Sequence, residues 1–348
     1  MRRLPGEIFI SKQKLRQAEA VECVRLERDS ASQSLGFASR PFVLCRLPIK
    51  RPASGVLLHE PRNGQFLLQV TGHPTYGLPW GQDRLVPLFL ATLAVRQQRR
   101  AITFSSALEM LDTFGMQQGG SQYRRLIGAF QRIFGATIFF GSEMQLEKAA
   151  VVHHARFKFM SEARIWYSRD PGQQNLPSDC QNMIVLSEEF YREIQTHPIP
   201  ADLEAAKALS SSPAVLDLYM WLSYRCFAAR GEERIPLFGD FGLVHQFGSA
   251  VYARPRKFRE RLERWTDLVR IMWPECPAFI SPDGRAIIVK RAYAIRPAGA
   301  NMFVPEIEYG YLRGNERWQT ITESFSERLG PRVAGNAQLA AFNRDVSM

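Results

Sequence analysis

The sequence predicts an α+β chain that uses one small scaffold twice, behind a basic N-terminal extension. Residues 83–115 and 216–248 align at one constant shift, and both copies run helix, very short strand, a second helix ending in Phe-Gly, third helix, strands. The second copy then closes on two apolar runs joined by Ser281-Pro282-Asp283-Gly284, a strong hairpin signal.

The shift follows from the pairs Ile102 and Ile235 (235 − 102 = 133), Leu85 and Leu218, Phe89 and Leu222, and Phe114-Gly115 and Phe247-Gly248. After the glycine it becomes 135, pairing Tyr123 with Phe258, Ile127 with Leu262, Phe130 with Trp265 and Ile133 with Leu268. In copy two, Ser212-Pro213 caps and starts a helix that keeps an apolar face to about Ala229. Arg234 to Leu237 reads as a brief strand. Phe241, Val244 and Phe247 form the next helix, stopped by a left-handed Gly248, with Asp240 as a cap. The third helix, 255–272, carries Phe258, Leu262, Trp265, Val269 and Met272, a 4-3-4-3 stripe facing a core. Phe279 and Ile280, then Ala286 to Val289, make the hairpin. Copy one reads helix 84–96, strand 101–104, helices 105–114 and 121–134, strands from Ala136, and extra sheet over Arg156 to Tyr167. Three helices plus a hairpin is the winged-helix order. The expected division is 1–75, a partly ordered basic extension; 76–200 and 201–300, two tandem winged-helix domains; and 301–348, a polar tail. Asp170 to Asp179 reads as a surface loop.

The 348 residues are 45% hydrophobic and 23% charged, a soluble globular composition, with a formal net charge of +11. That excess predicts a polyanionic partner. Cys23, Cys45, Cys180, Cys226 and Cys276 stand singly and are odd in number, against a disulfide framework or a zinc site and for a reducing cytoplasm. No apolar core follows the N-terminal arginines, and the run Leu85 to Val95 falls short of a membrane span, so neither a signal peptide nor a membrane anchor is expected.

A helix in the major groove must show its cationic side to water while the other side packs on the core. Helix 255–272 fits, with Arg256, Lys257, Arg259, Arg261 and Arg264 preceded by Arg254. Arg285, Lys290 and Arg291 would lie on the hairpin. The alternative is a solvated face, because Glu260, Glu263 and Asp267 share the helix and can pair with arginines. The crowding of cations into the N-terminal half favours the groove. Copy one's helix offers Gln122, Arg124, Arg125 and Arg132 after Gly119-Gly120, which suits phosphate contact or assembly.

No catalytic constellation is expected, and no cofactor or metal. The phosphate-loop pattern is missing, and the adjacent pair His153-His154 would point to opposite faces of a strand rather than share the metal a nickase needs. Asp217 reads as structural and Cys226 as a packing residue.

Two stretches resemble the plasmid RepA-type replication initiator family. One is Gly77-Leu78-Pro79-Trp80-Gly81 through Arg84-Leu85, with Phe114-Gly115 and Gly119-Gly120 beyond. The other is Ser212 through Arg225, Leu-Asp-Leu-Tyr-x-Trp-Leu-x-Tyr-Arg at its centre, continuing into Ile235-Pro236-Leu237 and Gln246-Phe247-Gly248. The resemblance implies binding to repeated origin sites (iterons) on double-stranded DNA, DNA opening, recruitment of host replication proteins such as the helicase machinery, autorepression and a homodimeric form. A transcriptional repressor without a replication role is the rival reading. The sequence departs from the family at Val86-Pro87, where the opening helix is expected to start late.

Overall fold

The computed structural model describes residues 12–30, 33–63, 66–116, 119–146, 149–164, 182–239, 242–248 and 254–296. The expected loop 170–179, the tail from 301, Asp240 and Phe241 lie outside them. Within them the chain is α+β with small antiparallel sheets.

The stretch read as an extension supplies walls of the core. Helix α1 (Lys12–Asp29) is followed by β1 (Leu35–Ser39), α2 (Arg40–Leu44), β2 (Leu58–His59), β3 (Arg62–Asn63) and β4 (Phe66–Thr71). Phe37, Val43, Leu44 and Leu47 are buried in the same apolar cluster as Trp221 and Phe247 of copy two. Burying so many apolar side chains in a short segment is what holds it in place.

A 3₁₀ turn, Gly81–Arg84, leads into copy one: α3 (Leu85–Gln97), β5 (Ala101–Phe104), α4 (Ala107–Thr113) and α5 (Gly120–Gly135). The first helix does not start late. Pro87 sits in the first turn of α3, where its missing N–H leaves no helical bond unmade. Gly115, at φ +58°, ends copy one's second helix in the left-handed region.

Strand β6 (Thr137–Leu146) leaves the module and joins β4 on one side and β7 (Ala149–Lys158) on the other. His153 and His154 lie on β7. The module's own sheet comes from β8 (Met160–Arg164) and β9 (Asn182–Leu186), in the order β5-β9-β8. The hairpin β6–β7 is therefore an insertion ahead of copy one's closing strands. Next come α6 (Glu188–Thr196), β10 (Pro198–Asp202) and α7 (Leu203–Ala208). Strand β10 pairs antiparallel with β1, Leu35 opposite Asp202.

Copy two is α8 (Pro213–Ala228), β11 (Glu233–Pro236), α9 (Leu243–Phe247), α10 (Pro255–Met272), β12 (Phe279–Ile280) and β13 (Ala286–Val289). Its sheet runs β11-β13-β12, the counterpart of β5-β9-β8. Helix α1 packs on α7 and α10, and α2 on α8.

Three local expectations are corrected. Ser212 caps α8 through its carbonyl, which accepts from the amides of Val215 and Leu216 at 3.0 Å, and its hydroxyl makes no cap bond. Gly248 is extended (φ −73°) rather than left-handed, and its small size serves a close approach: a Cβ there would fall 2.1 Å from the Val244 carbonyl oxygen. The third helices align one residue further along than expected. Leu126, Ala129, Phe130 and Ile133 are buried in α5, and Leu262, Trp265, Thr266 and Val269 in α10, a shift of 262 − 126 = 136. Under the expected pairing, buried Ile133 would match Leu268, which is 43% exposed.

Candidate nucleic-acid interface

Helix α10 begins at Pro255, behind the extended Arg254 whose carbonyl accepts from the Lys257 amide at 3.0 Å. Proline there supplies a helical φ and loses no bond. Phe258, Leu262, Trp265, Val269 and Met272 are buried, and the Phe258 ring meets Phe238 edge-on at 6.0 Å. The stripe fixes the helix's rotation, so Arg254, Arg256, Lys257, Arg261 and Arg264 emerge on the solvent side. Arg256 pairs with Glu260 at 2.8 Å while 82% of its side chain stays exposed. That hydrogen bond, helped by the charges of Arg264 and Arg259, holds the Glu260 carboxyl below its ordinary range. A carboxylate held so lies in a positive local field. Further along, Asp267 pairs with Arg270 at 3.0 Å.

Arg259 is half-buried and lies across the hairpin turn: a Cβ on Gly284 would fall 2.3 Å from its guanidinium. Gly284 also has φ +65°, the left-handed region that favours glycine. This contact ties the hairpin to the N-terminal half of α10. In the turn, the Ser281 hydroxyl and the Arg285 amide donate to Asp283 at 2.6 and 3.1 Å, Arg234 adds an ion pair, and together they hold the Asp283 carboxyl at about 2. A carboxyl lowered on folding stabilises the fold above its unfolded pKa (~3.9). The support is lost as pH falls towards about 2. A carboxyl-carbon NMR titration is expected to place the Asp283 midpoint at about 2 in the folded protein, and a midpoint near 4 would show the turn unformed.

Of the hairpin cations, Arg285 is exposed, and Lys290 is half-exposed and paired with Glu232 at 3.1 Å. Arg291 corrects expectation. Its guanidinium lies over the Tyr293 ring and donates to the Tyr293 hydroxyl at 3.1 Å, so it folds back rather than facing outward.

In copy one, Arg124 and Arg125 are exposed and Gln122 is half-buried. Arg132 does not join them. It holds Asp83 with two bonds, 2.6 and 2.9 Å, lies over the Trp80 ring, and is only 18% exposed. A bidentate pair with a buried carboxylate satisfies the guanidinium inside the fold. Asp217, read as structural, forms an ion pair with Arg84. Sequence reasoning missed this pairing: the two residues are equivalent in the duplication (217 − 84 = 133), but equivalence marks no contact. Among the described residues no cluster of histidine, cysteine and acidic side chains could hold a metal ion. No helix of the described residues is long and apolar enough to cross a membrane.

Residues 84–235 match the family model for the plasmid encoded RepA protein. The chain thus resembles the plasmid RepA-type replication initiators, from the first helix of copy one into the first strand of copy two. A crystal structure of RctB domains 2–3 is 14% identical, covers 72% of this chain and 96% of its own, and has a TM-score of 0.44. A second, of SeMet derivatives of RctB domain 2 and domain 3, is 13% identical, covers 70% and 94%, and has a TM-score of 0.43. No curated protein matches this chain.

Proposed function

We propose that this RepA-type chain initiates plasmid replication by binding double-stranded DNA at repeated origin sites through two winged-helix modules. The module of α8 to β13 reads bases with α10 in the major groove, while the hairpin reaches the neighbouring backbone. The module of α3 to β9 holds phosphates through Arg124 and Arg125. The single supporting observation is the disposition of α10, with its apolar stripe buried and its N-terminal cations in solvent beside the hairpin. Copy one retains fewer of those cations. At the shift of 136, Arg125 matches Arg261, while Gly128 stands where copy two has Arg264.

In this reading the chain acts in the cytoplasm by binding and not by catalysis, and it needs no cofactor. It recruits host replication proteins, and as a homodimer it represses its own promoter. Two modules on one face of a duplex engage grooves about one turn apart (~34–36 Å), so the site is a direct repeat of about 20 base pairs. The test is binding to cloned origin repeats against scrambled DNA at physiological salt, where the repeats are expected to bind at least about 10³-fold more tightly. Equal affinities would end the proposal.

A further inference from the structure

Three consecutive side chains of the 3₁₀ turn Gly81–Arg84 reach three different parts of the chain. The Gln82 amide donates to the Ser210 carbonyl at 2.9 Å, just ahead of α8. Asp83 holds Arg132 on α5 and accepts from the Trp80 amide at 2.9 Å. Arg84 forms its ion pair with Asp217 on α8, with side chains 6% and 10% exposed. It also donates to the carbonyls of Gly81 at 2.6 Å and of Leu47 and Pro48 at 3.0 Å. One turn of chain thus grips copy one's third helix and copy two's first.

Arg84 and Asp217 occupy the same position in the two copies, with opposite charges. Apposing two copy-one modules in the same way would set arginine against arginine, and two copy-two modules aspartate against aspartate. A buried like-charge contact is disfavoured, so the pair selects the mixed apposition. Four hydrogen-bonding partners on one guanidinium also leave it little freedom to swing.

We propose that the turn Gly81–Arg84 sets the relative orientation of the two modules through the Arg84–Asp217 pair, and so fixes the spacing of the DNA segments they engage. The spacing clause rests on the DNA-binding reading above, whereas the orientation clause stands without it.

The test compares the parent with Asp217→Asn, which keeps the side chain's shape and an acceptor oxygen but removes its charge. Arg84 retains its three carbonyl acceptors in this variant, and circular dichroism verifies the fold. Spin labels on noncanonical residues replacing the exposed Arg99 and Arg230 report the module-to-module distance without DNA. The parent is expected to give one narrow distribution and Asp217→Asn a clearly broader one, because alternative orientations gain population once the pair is lost. Val289→Ala, a core truncation away from the junction, is expected to leave the width unchanged. An unaltered width in Asp217→Asn, or equal broadening in Val289→Ala, overturns the proposal. On DNA, inserting about half a helical turn between the engaged segments is expected to weaken the parent by about a hundredfold, and Asp217→Asn by less than about tenfold. Equal loss in both overturns the spacing clause. A parent that prefers no duplex overturns the proposed function instead, and the distance measurement still decides the orientation clause.

Discussion

Replacing Arg256, Lys257, Arg261 and Arg264 together by glutamine is expected to flatten the salt dependence of DNA binding by about 0.9 units of log K per log salt for each of them that holds a phosphate beside the groove rather than a base edge, a ceiling of about 3.6. All four side chains sit on the solvent face of α10. Their removal leaves the buried stripe intact, and exposed substitutions of this kind shift stability by no more than about 0.5 kcal/mol each. The ion pair of Arg256 with Glu260 does not protect that arginine from recruitment, since exposed pairs contribute roughly 0–1 kcal/mol and exchange readily for a phosphate. Titrations at several salt concentrations against one duplex measure the slope, and calorimetric melting checks the fold. A parent slope retained by the fourfold variant would move the DNA contact away from α10.

Phe258→Ala is expected to act the opposite way, lowering the unfolding free energy by about 3–5 kcal/mol while leaving the salt slope of the folded fraction as it was. The Phe258 ring is fully buried, meets Phe238 edge-on and anchors the first turn of the helix that carries the cations. Its loss opens a cavity beneath Arg256 and Lys257, so affinity falls because the helix is less often seated, not because charge is lost. Urea unfolding followed by tryptophan fluorescence measures the cost. A change below about 1 kcal/mol would mean that the stripe does not hold α10 in place. The two variants together divide the roles of one helix between its faces.

Much of this was legible in the residues. The 4-3-4-3 stripe placed α10 at the bounds it has, and Ser281 to Gly284 located the hairpin turn. The element order of both copies followed from apolar spacing and two Phe-Gly stops. What periodicity missed was long-range. That β6 would leave copy one's sheet for β4 depends on partners far away in sequence, which no local pattern encodes. The register of α5 against α10 slipped because aromatic matches such as Phe130 with Trp265 look convincing one residue out of phase, and only burial separates the alternatives. A guanidinium on an amphipathic helix such as Arg132 carries no local mark of its partner, since Asp83 is 49 residues away. The partner of Arg291 is local, with Tyr293 two residues on, and was legible in principle.

The pairing of β1 with β10 bears on how the protein is made. Leu35 leaves the ribosome long before Asp202, its partner across the ladder. At about 5–20 residues per second the early strand waits roughly 10–30 s for its mate. During that interval Phe37, Val43 and Leu44 lack the later helices they are buried against. Nascent chains in that window expose apolar surface and an unpaired strand edge, the features that chaperones bind.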